Sequence, residues 1–331
     1  MKLAVLGPGC WGLTIAKLET SNFDEDFVWG REKDIPESLL KDRKVEKPIA
    51  IELDKKVQIT SNLEVALKDA DIILLVVSTT GVRPVCEQIK QIGGLNKNQI
   101  LLNLSKGIEL PSLKRMSEVI LEVLPDINFA VLSGPTLARE IIENKPTLAT
   151  IASSDIETAK KAQKLLNVPS LFRLYANDDV IGVELGGSLK NVIAIASGFA
   201  SSMGLGDNLR GSLLTRGMAE MIRVATSLGA KPQTLYGLSG LGDLIATASS
   251  PYSRNYTVGS LLAKGKKIDE ILANLGSVAE GVKTSKALCE LADKLKIEVP
   301  VSRAIYEAVY TDITPREVVE KLMNRKLKEE D

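Results

Sequence analysis

The chain of 331 residues has 42 basic and 42 acidic side chains, no histidine and a hydrophobic content of 44%. Its neutral charge excludes a broad electrostatic field for nucleic acid or an anionic membrane, so an anionic ligand needs a local cluster of cations. Three scattered cysteines, Cys10, Cys86 and Cys289, favour neither disulfides nor a metal site. These cysteines and the lack of an apolar leader before the first strand predict a reducing, cytoplasmic location.

The first half of the chain alternates strand and helix patterns. Strand patterns occur at residues 2–6, 27–29, 57–60, 72–77, 100–104, 129–132 and 148–151. Helical patterns lie between several of them, at 13–18, 82–92, 112–124 and 156–166. This alternation predicts an α/β domain over residues 1–178, built on a doubly wound, mostly parallel sheet of the Rossmann type.

The glycines after the first strand form a recognisable pattern. Gly7, Gly9 and Gly12 make G-x-G-x-x-G between the first strand and the first helix. Such glycines permit a tight turn, approach of the backbone to a pyrophosphate and close helix packing, with the phosphates at the helix amino terminus. A glycine-rich turn without a ligand is the alternative. Strand, motif and helix together favour a dinucleotide-binding domain.

The residues after the second strand bear on the choice between NAD and NADP. An acidic residue there would accept hydrogen bonds from both ribose hydroxyls and repel a 2′-phosphate. This chain has Gly30 and Arg31 instead. Arg31 favours NADP, with an ordinary surface arginine as the alternative, and we expect the cofactor to be NADP or NAD.

The second half of the chain has helical patterns only. They lie at residues 180–203, 208–228, 256–264, 268–274, 283–295 and 303–310. These patterns predict an all-helical domain over residues 179–331. The segment 185–205 is long and apolar, but its glycines, serines, Asn191 and Lys190 suit a packed helix better than a membrane span, so we expect no stable membrane insertion.

Lys190 is the only charged residue between Leu185 and Leu205. In a helix its neighbours at spacings of three and four are glycine, isoleucine and alanine, and none of them is a carboxylate. Burial in such surroundings disfavours the charged amine and moves its pKa toward neutrality, where a lysine serves as a general acid or base. The alternative is a lysine that reaches solvent from the helix edge.

Two loops that follow strands carry further candidates. Lys106 comes directly after the 100–104 strand, at the edge where parallel sheets bind ligands. Gly134 and Thr136 follow the 129–132 strand and precede a short helical pattern. Backbone and hydroxyl donors there suit an anion, while helix capping by Thr136 and a solvated Lys106 are the alternatives.

The helical half adds a second group of polar candidates. Asp243 follows Gly240-Leu-Gly, and helix capping is as good an explanation for it as a role in a site. Ser253, Arg254 and Asn255 together offer a hydroxyl, a guanidinium and an amide. This combination suits a phosphate group, with an exposed polar loop as the alternative.

Taken in order, the motifs resemble those of the bacterial-type NAD(P)-dependent glycerol-3-phosphate dehydrogenases. They cover nearly the whole chain: Gly-x-Gly-x-Trp-Gly at 7–12, Ser-Lys-Gly-Ile-Glu at 105–109, Ser-Gly-Pro-Thr at 133–136, Glu-Leu-Gly-Gly-Ser-Leu-Lys-Asn at 184–191, Gly-Leu-Gly-Asp-Asn at 204–208, Gly-Leu-Gly-Asp-Leu at 240–244, Ser-Arg-Asn at 253–255 and Val-Ala-Glu-Gly at 278–281. The resemblance implies reversible reduction of dihydroxyacetone phosphate to sn-glycerol 3-phosphate, a precursor of glycerophospholipids.

The resemblance also implies roles for individual residues. Lys190 is then the proton donor or acceptor, with Lys106 and Asp243 as its catalytic partners. The positions that match substrate contacts are Lys106, Gly134, Thr136, Lys190, Asp243, Ser253, Arg254 and Asn255. Those that match cofactor contacts are Gly7, Gly9, Cys10, Trp11, Gly12, Arg31, Lys106, Ala138, Arg254, Val278 and Glu280.

Two other functions fit the same domain order. A hydroxy-acid reductase such as ketopantoate reductase would need a smaller anion pocket, which the Ser-Arg-Asn segment disfavours. A noncatalytic NADP sensor would not need both lysines and Asp243. We expect a small phosphorylated substrate and no nucleic acid partner, and the sequence leaves the oligomeric state open, a homodimer included.

Overall fold

The structure is a computed structural model that describes residues 1–275, 278–327 and 329–330. Within these residues the strands are β1 (Lys2–Leu6), β2 (Glu25–Trp29), β3 (Lys44–Val45), β4 (Ile51–Glu52), β5 (Val57–Thr60), β6 (Ile72–Leu75), β7 (Ile100–Asn103), β8 (Asn128–Ser133), β9 (Thr147–Ala152) and β10 (Phe172–Asn177). The helices of the first half are α1 (Cys10–Glu19), α2 (Glu37–Asp42), α3 (Leu63–Leu67), α4 (Thr79–Gln91), α5 (Met116–Val123), α6 (Ala138–Ile142) and α7 (Ile156–Leu166).

The helices of the second half are α8 (Val180–Ser202), α9 (Gly206–Ser227), α10 (Pro232–Leu235), α11 (Asp243–Ala248), α12 (Arg254–Leu262), α13 (Ile268–Leu275), α14 (Glu280–Leu295), α15 (Pro300–Tyr310) and α16 (Pro315–Met323). A short π-helical turn, Leu238–Gly242, leads directly into α11. The predicted change from a mixed to a helical architecture is therefore confirmed within the described residues. The division into two domains at residues 178 and 179 stays a prediction.

Eight strands form one sheet in the order β10-β9-β8-β7-β6-β1-β2-β5. Neighbouring strands are parallel except for β8 and β9, which pair antiparallel. The order from β5 to β8 is that of a Rossmann sheet, so the predicted mostly parallel fold is confirmed. The sequence analysis missed β10, although exposed Arg173 and Tyr175 alternate with buried Phe172 and Leu174, which is the pattern of a half-buried strand at a sheet edge.

Helices cover both faces of the sheet. The central strand β6 reads Ile-Ile-Leu-Leu and is fully buried, as a parallel strand covered on both sides must be. Residues of α1 and α7 belong to the apolar cluster on one face, and residues of α3, α4 and α5 belong to the cluster on the other. The carboxyl ends of β1, β6 and β7 therefore open onto one edge, where the loops that follow them meet.

Helix α8 is the core of the second half. Nineteen of its residues, from Gly182 to Ala200, are buried. A Cβ added to Gly259 of α12 would lie 1.9 Å from the carbonyl oxygen of Ile195, so the two helices pack backbone to backbone. By length and composition α8 could cross a membrane, but 89% of its apolar window lies inside the protein. The small residues of α8 serve helix packing.

Candidate active site

The glycine turn after β1 has the geometry that a dinucleotide requires. A Cβ on Gly7 would lie 2.5 Å from the carbonyl oxygen of Val76, and one on Gly12 would lie 1.9 Å from that of Gly7. A Cβ on Gly9 would meet nothing within 4 Å. Gly7 and Gly12 thus close the turn while Gly9 leaves open space before the amino terminus of α1, which no side chain caps. These residues fit a pyrophosphate.

Other predicted cofactor residues surround this turn. Cys10 and Trp11 form the first turn of α1 and are partly buried. Ala138 begins α6, which packs against α1. Arg31 lies just beyond β2, where its exposed guanidinium pairs with Asp34. The residue before it, Gly30, lies against the glycine turn, because a Cβ on Gly30 would lie 2.6 Å from Pro8.

Two lysines share one buried aspartate at the same sheet edge. Lys190 Nζ donates to Asp243 Oδ1 over 2.8 Å, and Lys106 Nζ donates to Asp243 Oδ2 over 2.7 Å. Lys106 also donates to the carbonyl oxygen of Gly134 over 3.1 Å. Asp243 is 2% exposed. The structure thus brings together four residues that lie far apart in sequence.

Thr247 completes this group and was missed by the sequence reasoning. Its hydroxyl accepts a hydrogen bond from Lys190 Nζ over 2.5 Å and lies 3.1 Å from Asp243 Oδ1, to which it donates. Asp243 and Thr247 are four residues apart on α11. That spacing places both side chains on one helix face, and it was the available signal.

Burial and charge set the protonation of this group. Burial lowers the pKa of the Lys190 amine to about 8, against the opposing attraction of Asp243, while Lys106 and Arg254 add to the lowering. Burial would raise the pKa of Asp243, but the two lysines outweigh it and hold the pKa of that carboxyl below its usual value. Lys190 can therefore exchange a proton near neutral pH while Asp243 stays ionised.

Arg254 lies within electrostatic reach of both the glycine turn and Lys190. It begins α12 and lowers the pKa of the Lys190 amine through its charge. Burial raises the pKa of the Cys10 thiol, and the same guanidinium opposes that rise. A cation that acts on both groups can contact a ligand extending from the turn to Lys190.

The neighbours of Arg254 are held by structural hydrogen bonds. Ser253 caps α12, because its hydroxyl accepts a hydrogen bond from the backbone N–H of Tyr256 over 3.3 Å. Asn255 Nδ2 donates to Asn191 Oδ1 over 2.8 Å, and its Oδ1 accepts from the N–H of Gly281 over 3.1 Å. Both residues border the site, and their substrate contacts stay predictions.

Neither Thr136 nor Asp243 acts as a helix cap. Thr136 precedes the cap of α6, which is Leu137, and its hydroxyl donates to the carbonyl oxygen of Gly134 over 3.1 Å. Asp243 is the first residue of α11, and its carboxylate binds the lysines. The capping explanation is therefore wrong for both residues.

Lys190 does not reach solvent. It is 6% exposed, and its amine is held by Asp243 and Thr247. Lys190 has no acidic neighbour three or four residues away on α8, so its carboxylate partner, Asp243, comes from α11. Its own helix is anchored to the first half by buried Glu184, which accepts hydrogen bonds from Ser117 N over 2.7 Å and from Arg115 over 2.8 Å.

The last two predicted cofactor residues lie at the amino end of α14. Val278 is exposed, and Glu280 is the first residue of α14. Glu280 reaches the first half of the chain, where its carboxylate accepts two hydrogen bonds from Thr79. Among the described residues there is no group of three or more acidic or cysteine side chains that could hold a metal ion.

A dinucleotide turn and a lysine–aspartate–lysine group around a buried carboxylate define the class of nicotinamide-dependent dehydrogenases with a helical second half. Two family models narrow this class. The model for the NAD-dependent glycerol-3-phosphate dehydrogenase N-terminus matches residues 2–159, and the model for the C-terminus matches residues 179–320. The chain belongs to the NAD-dependent glycerol-3-phosphate dehydrogenase family.

Individual relatives agree with this assignment. The NAD(P)+ glycerol-3-phosphate dehydrogenase of Carboxydothermus hydrogenoformans is 41% identical, and the match covers 100% of this chain and 98% of that protein. The enzyme of the same name from Pediococcus pentosaceus is 41% identical over 98% of this chain and 97% of its own length. The glycerol-3-phosphate dehydrogenase structure from Coxiella burnetii is 31% identical, with a TM-score of 0.90 over 98% of this chain and 99% of that one.

The alternative of a hydroxy-acid reductase is not favoured. A ketopantoate reductase structure from Ralstonia eutropha covers 98% of this chain and 100% of its own, but it is 15% identical with a TM-score of 0.60. At that identity the likeness concerns the fold alone.

Proposed function

We propose that this chain reduces dihydroxyacetone phosphate to sn-glycerol 3-phosphate reversibly, with NADPH or NADH as the reductant. The observation that carries the proposal is the group formed by buried Lys190 and Asp243 with partly buried Lys106, at the sheet edge that also carries the glycine turn. When bound, the reduced nicotinamide supplies the hydride that the ketone carbon receives. The chain itself must bind the phosphate, orient the ketone and supply a proton.

Lys190 is the proton donor in this proposal. Its pKa of about 8 leaves the amine mostly protonated at neutral pH, so it gives a proton to the oxygen at C2 as that oxygen gains negative charge. In the reverse direction the neutral amine accepts the proton from the hydroxyl. Asp243 and Thr247 hold the amine in place, and Lys106 adds a second positive charge near the same oxygen.

Arg254 is the principal phosphate contact in this proposal. A guanidinium binds phosphate oxygens through two parallel N–H donors, and Arg254 lies within electrostatic reach of Lys190. Gly134, Thr136, Ser253 and Asn255 complete the proposed substrate pocket. We also propose that Arg31 favours NADPH. The enzyme works in the cytoplasm for glycerophospholipid synthesis in this proposal, without nucleic acid or membrane insertion.

The test is a steady-state assay of reduced-cofactor oxidation with dihydroxyacetone phosphate and with ketopantoate. The wild type should oxidise NADPH with the first substrate only. Lys190→Ala should lower kcat by about two to four orders of magnitude, as loss of a general acid does, while NADPH affinity stays nearly unchanged. Lys164→Ala, on the exposed side of α7, is the matched control.

Arg254 is tested separately. Arg254→Ala should raise the KM for dihydroxyacetone phosphate by at least about tenfold, because it removes a charge-assisted hydrogen bond.

A turnover in Lys190→Ala equal to that of the wild type would remove Lys190 from the reaction. An unchanged KM in Arg254→Ala would remove that residue from the phosphate pocket.

A further inference from the structure

Thr79 is a buried polar residue at the cleft to which none of the roles above is assigned. It begins α4, directly after the segment that follows β6, and it is 5% exposed. The end of this strand touches the glycine turn, since a Cβ on Gly7 would lie 2.5 Å from the carbonyl oxygen of Val76. Thr79 therefore belongs to the edge of the sheet that forms the proposed dinucleotide site.

Both hydrogen-bond donors of Thr79 point at one carboxylate. Its backbone N–H donates to Glu280 Oε1 over 3.1 Å, and its hydroxyl donates to Glu280 Oε2 over 2.8 Å. The two residues are 201 positions apart, one in each half of the chain. Two bonds from one rigid helix terminus fix the position and the rotation of the Glu280 carboxylate.

Gly107 leaves the space in which this pair meets. A Cβ on Gly107 would lie 2.3 Å from Thr79 Cγ2 and 3.7 Å from Glu280 Oε2. Gly107 directly follows Lys106, whose amine is bound to Asp243. The Glu280 carboxylate is therefore held beside the loop that carries Lys106, at the carboxyl end of the sheet.

The fixed carboxylate keeps part of its bonding capacity. A carboxylate accepts about four hydrogen bonds, and Thr79 supplies two of them. Among the described residues Thr79 is the one that donates to this carboxylate, and Glu280 is only partly buried, so the carboxylate can accept a further hydrogen bond from a ligand. A negative charge repels phosphates, which excludes the pyrophosphate as its partner. The nicotinamide end of the cofactor offers an amide N–H₂ donor and, when oxidised, a positive ring.

We propose that Thr79 is a positioning residue that holds Glu280 to accept a hydrogen bond from the nicotinamide carboxamide. The same fixed negative charge raises the affinity for oxidised cofactor relative to reduced cofactor. This inference rests on the proposed function, because it takes a nicotinamide dinucleotide as the ligand. It assigns to Thr79 a role in cofactor binding that does not depend on contact with the substrate.

The test compares Thr79→Val with Thr79→Ser. Valine keeps the shape, the methyl group above Gly107 and the backbone N–H, but it lacks the hydroxyl. Serine keeps the hydroxyl. The dissociation constants of NADP+ and NADPH are measured by calorimetric titration without substrate, and thermal unfolding checks that each variant folds.

We expect Thr79→Val to bind NADP+ about five- to tenfold more weakly than the wild type. This is less than the loss of a direct hydrogen bond to a charged group, because Thr79 acts on the cofactor through Glu280. NADPH binding should weaken less. Thr79→Ser should stay within about twofold for both forms. The KM for dihydroxyacetone phosphate should not change in either variant, whereas a general structural defect would change it.

Glu280→Gln provides the second test, independent of whether Thr79→Val folds. Glutamine keeps the size of the side chain and removes its charge, so the ratio of the NADP+ and NADPH affinities should shift toward NADPH by several-fold. Equal binding by the Val and Ser variants, or an unchanged ratio in Glu280→Gln, would overturn the inference.

The outcomes separate this inference from the proposed function. A wild type that oxidises NADPH with dihydroxyacetone phosphate, together with Val and Ser variants that bind alike, leaves the function standing and removes the role of Thr79. A wild type that is inactive with this substrate but shows the expected Val and Ser difference removes the function and supports the positioning role.

Discussion

The partnership of Asp243 with two lysines makes the pH dependence of Asp243→Asn a sharp prediction. Asparagine keeps the size of the side chain but removes the charge that opposes the burial of Lys190. Burial and the positive charges of Lys106 and Arg254 then act alone on the Lys190 amine. All of these disfavour the ammonium form, so the pKa of Lys190 must fall below its wild-type value.

The size of the fall follows from the bond that is lost. A hydrogen bond between charged groups is worth about 1.5–3 kcal/mol, and one pKa unit corresponds to about 1.4 kcal/mol, so the pKa should fall by roughly one to two units. From a wild-type value of about 8, the variant amine should titrate near pH 6–7. Reduction needs the ammonium, so its rate is lost as the pH rises through the pKa. Oxidation needs the neutral amine and gains in the same range.

The assay is kcat/KM for the substrate against pH in both directions, for the wild type and for Asp243→Asn, because kcat/KM reports the pKa of the enzyme before the phosphorylated substrate binds. The wild-type reduction should decline through a pKa near 8, and the variant should decline at lower pH, whatever its absolute rate. Asp178→Asn is the matched control, because Asp178 forms an exposed ion pair with Lys231. If the pH at which the reduction rate declines is unchanged or higher in Asp243→Asn, the assignment of Lys190 as the titrating group is refuted.

Three further substitutions test the glycines and the cofactor preference. Gly12→Ala would put a Cβ 1.9 Å from the carbonyl oxygen of Gly7, so NADPH binding should weaken by at least about tenfold in a titration, and wild-type affinity would contradict this. Gly187→Ala would put a Cβ 2.2 Å from Ser133 Oγ and 3.4 Å from Lys106 Cδ. Its kcat should fall and recover in part when Ser133→Ala is added, and a double variant no better than the single one would argue against this contact. Arg31→Ala should lower the ratio of kcat/KM for NADPH to that for NADH by about tenfold, the value of one charge-assisted hydrogen bond, and an unchanged ratio would make Arg31 a surface residue.

Local patterns predicted the elements better than their arrangement. The buried runs around β1, β6 and β7 identify strands because both faces are covered, and the glycine spacing identifies the turn after β1. The antiparallel pairing of β8 with β9 left no local trace. Strand direction depends on how the connecting segment crosses the sheet, and the hydrophobic period does not encode it.

The site, like the strand directions, depends on contacts that local sequence patterns do not encode. The apolar surroundings of Lys190 on α8 predicted a buried amine without a partner on its own helix. The partner Asp243 lies 53 residues away, and Glu280 lies 201 residues from Thr79. Contacts at such separations follow from the packing of the two halves. Of these partners, only Thr247 could have been inferred from the local sequence, because it follows Asp243 by four residues on the same helix.

The charges of the site explain how a neutral chain can hold a phosphorylated substrate. The charges of Lys106 and Arg254 act on the Lys190 amine, and Asp243 is the carboxylate that binds both lysines. With Lys190 protonated, these four groups carry a net charge of two positive units, close to the charge of about −1.5 to −2 on a phosphate monoester at neutral pH. A bound phosphorylated ketone would therefore raise the pKa of Lys190 and keep the proton on the amine until the C2 oxygen takes it. Substrate binding and proton supply are thus coupled through the same positive charge, and no histidine is needed.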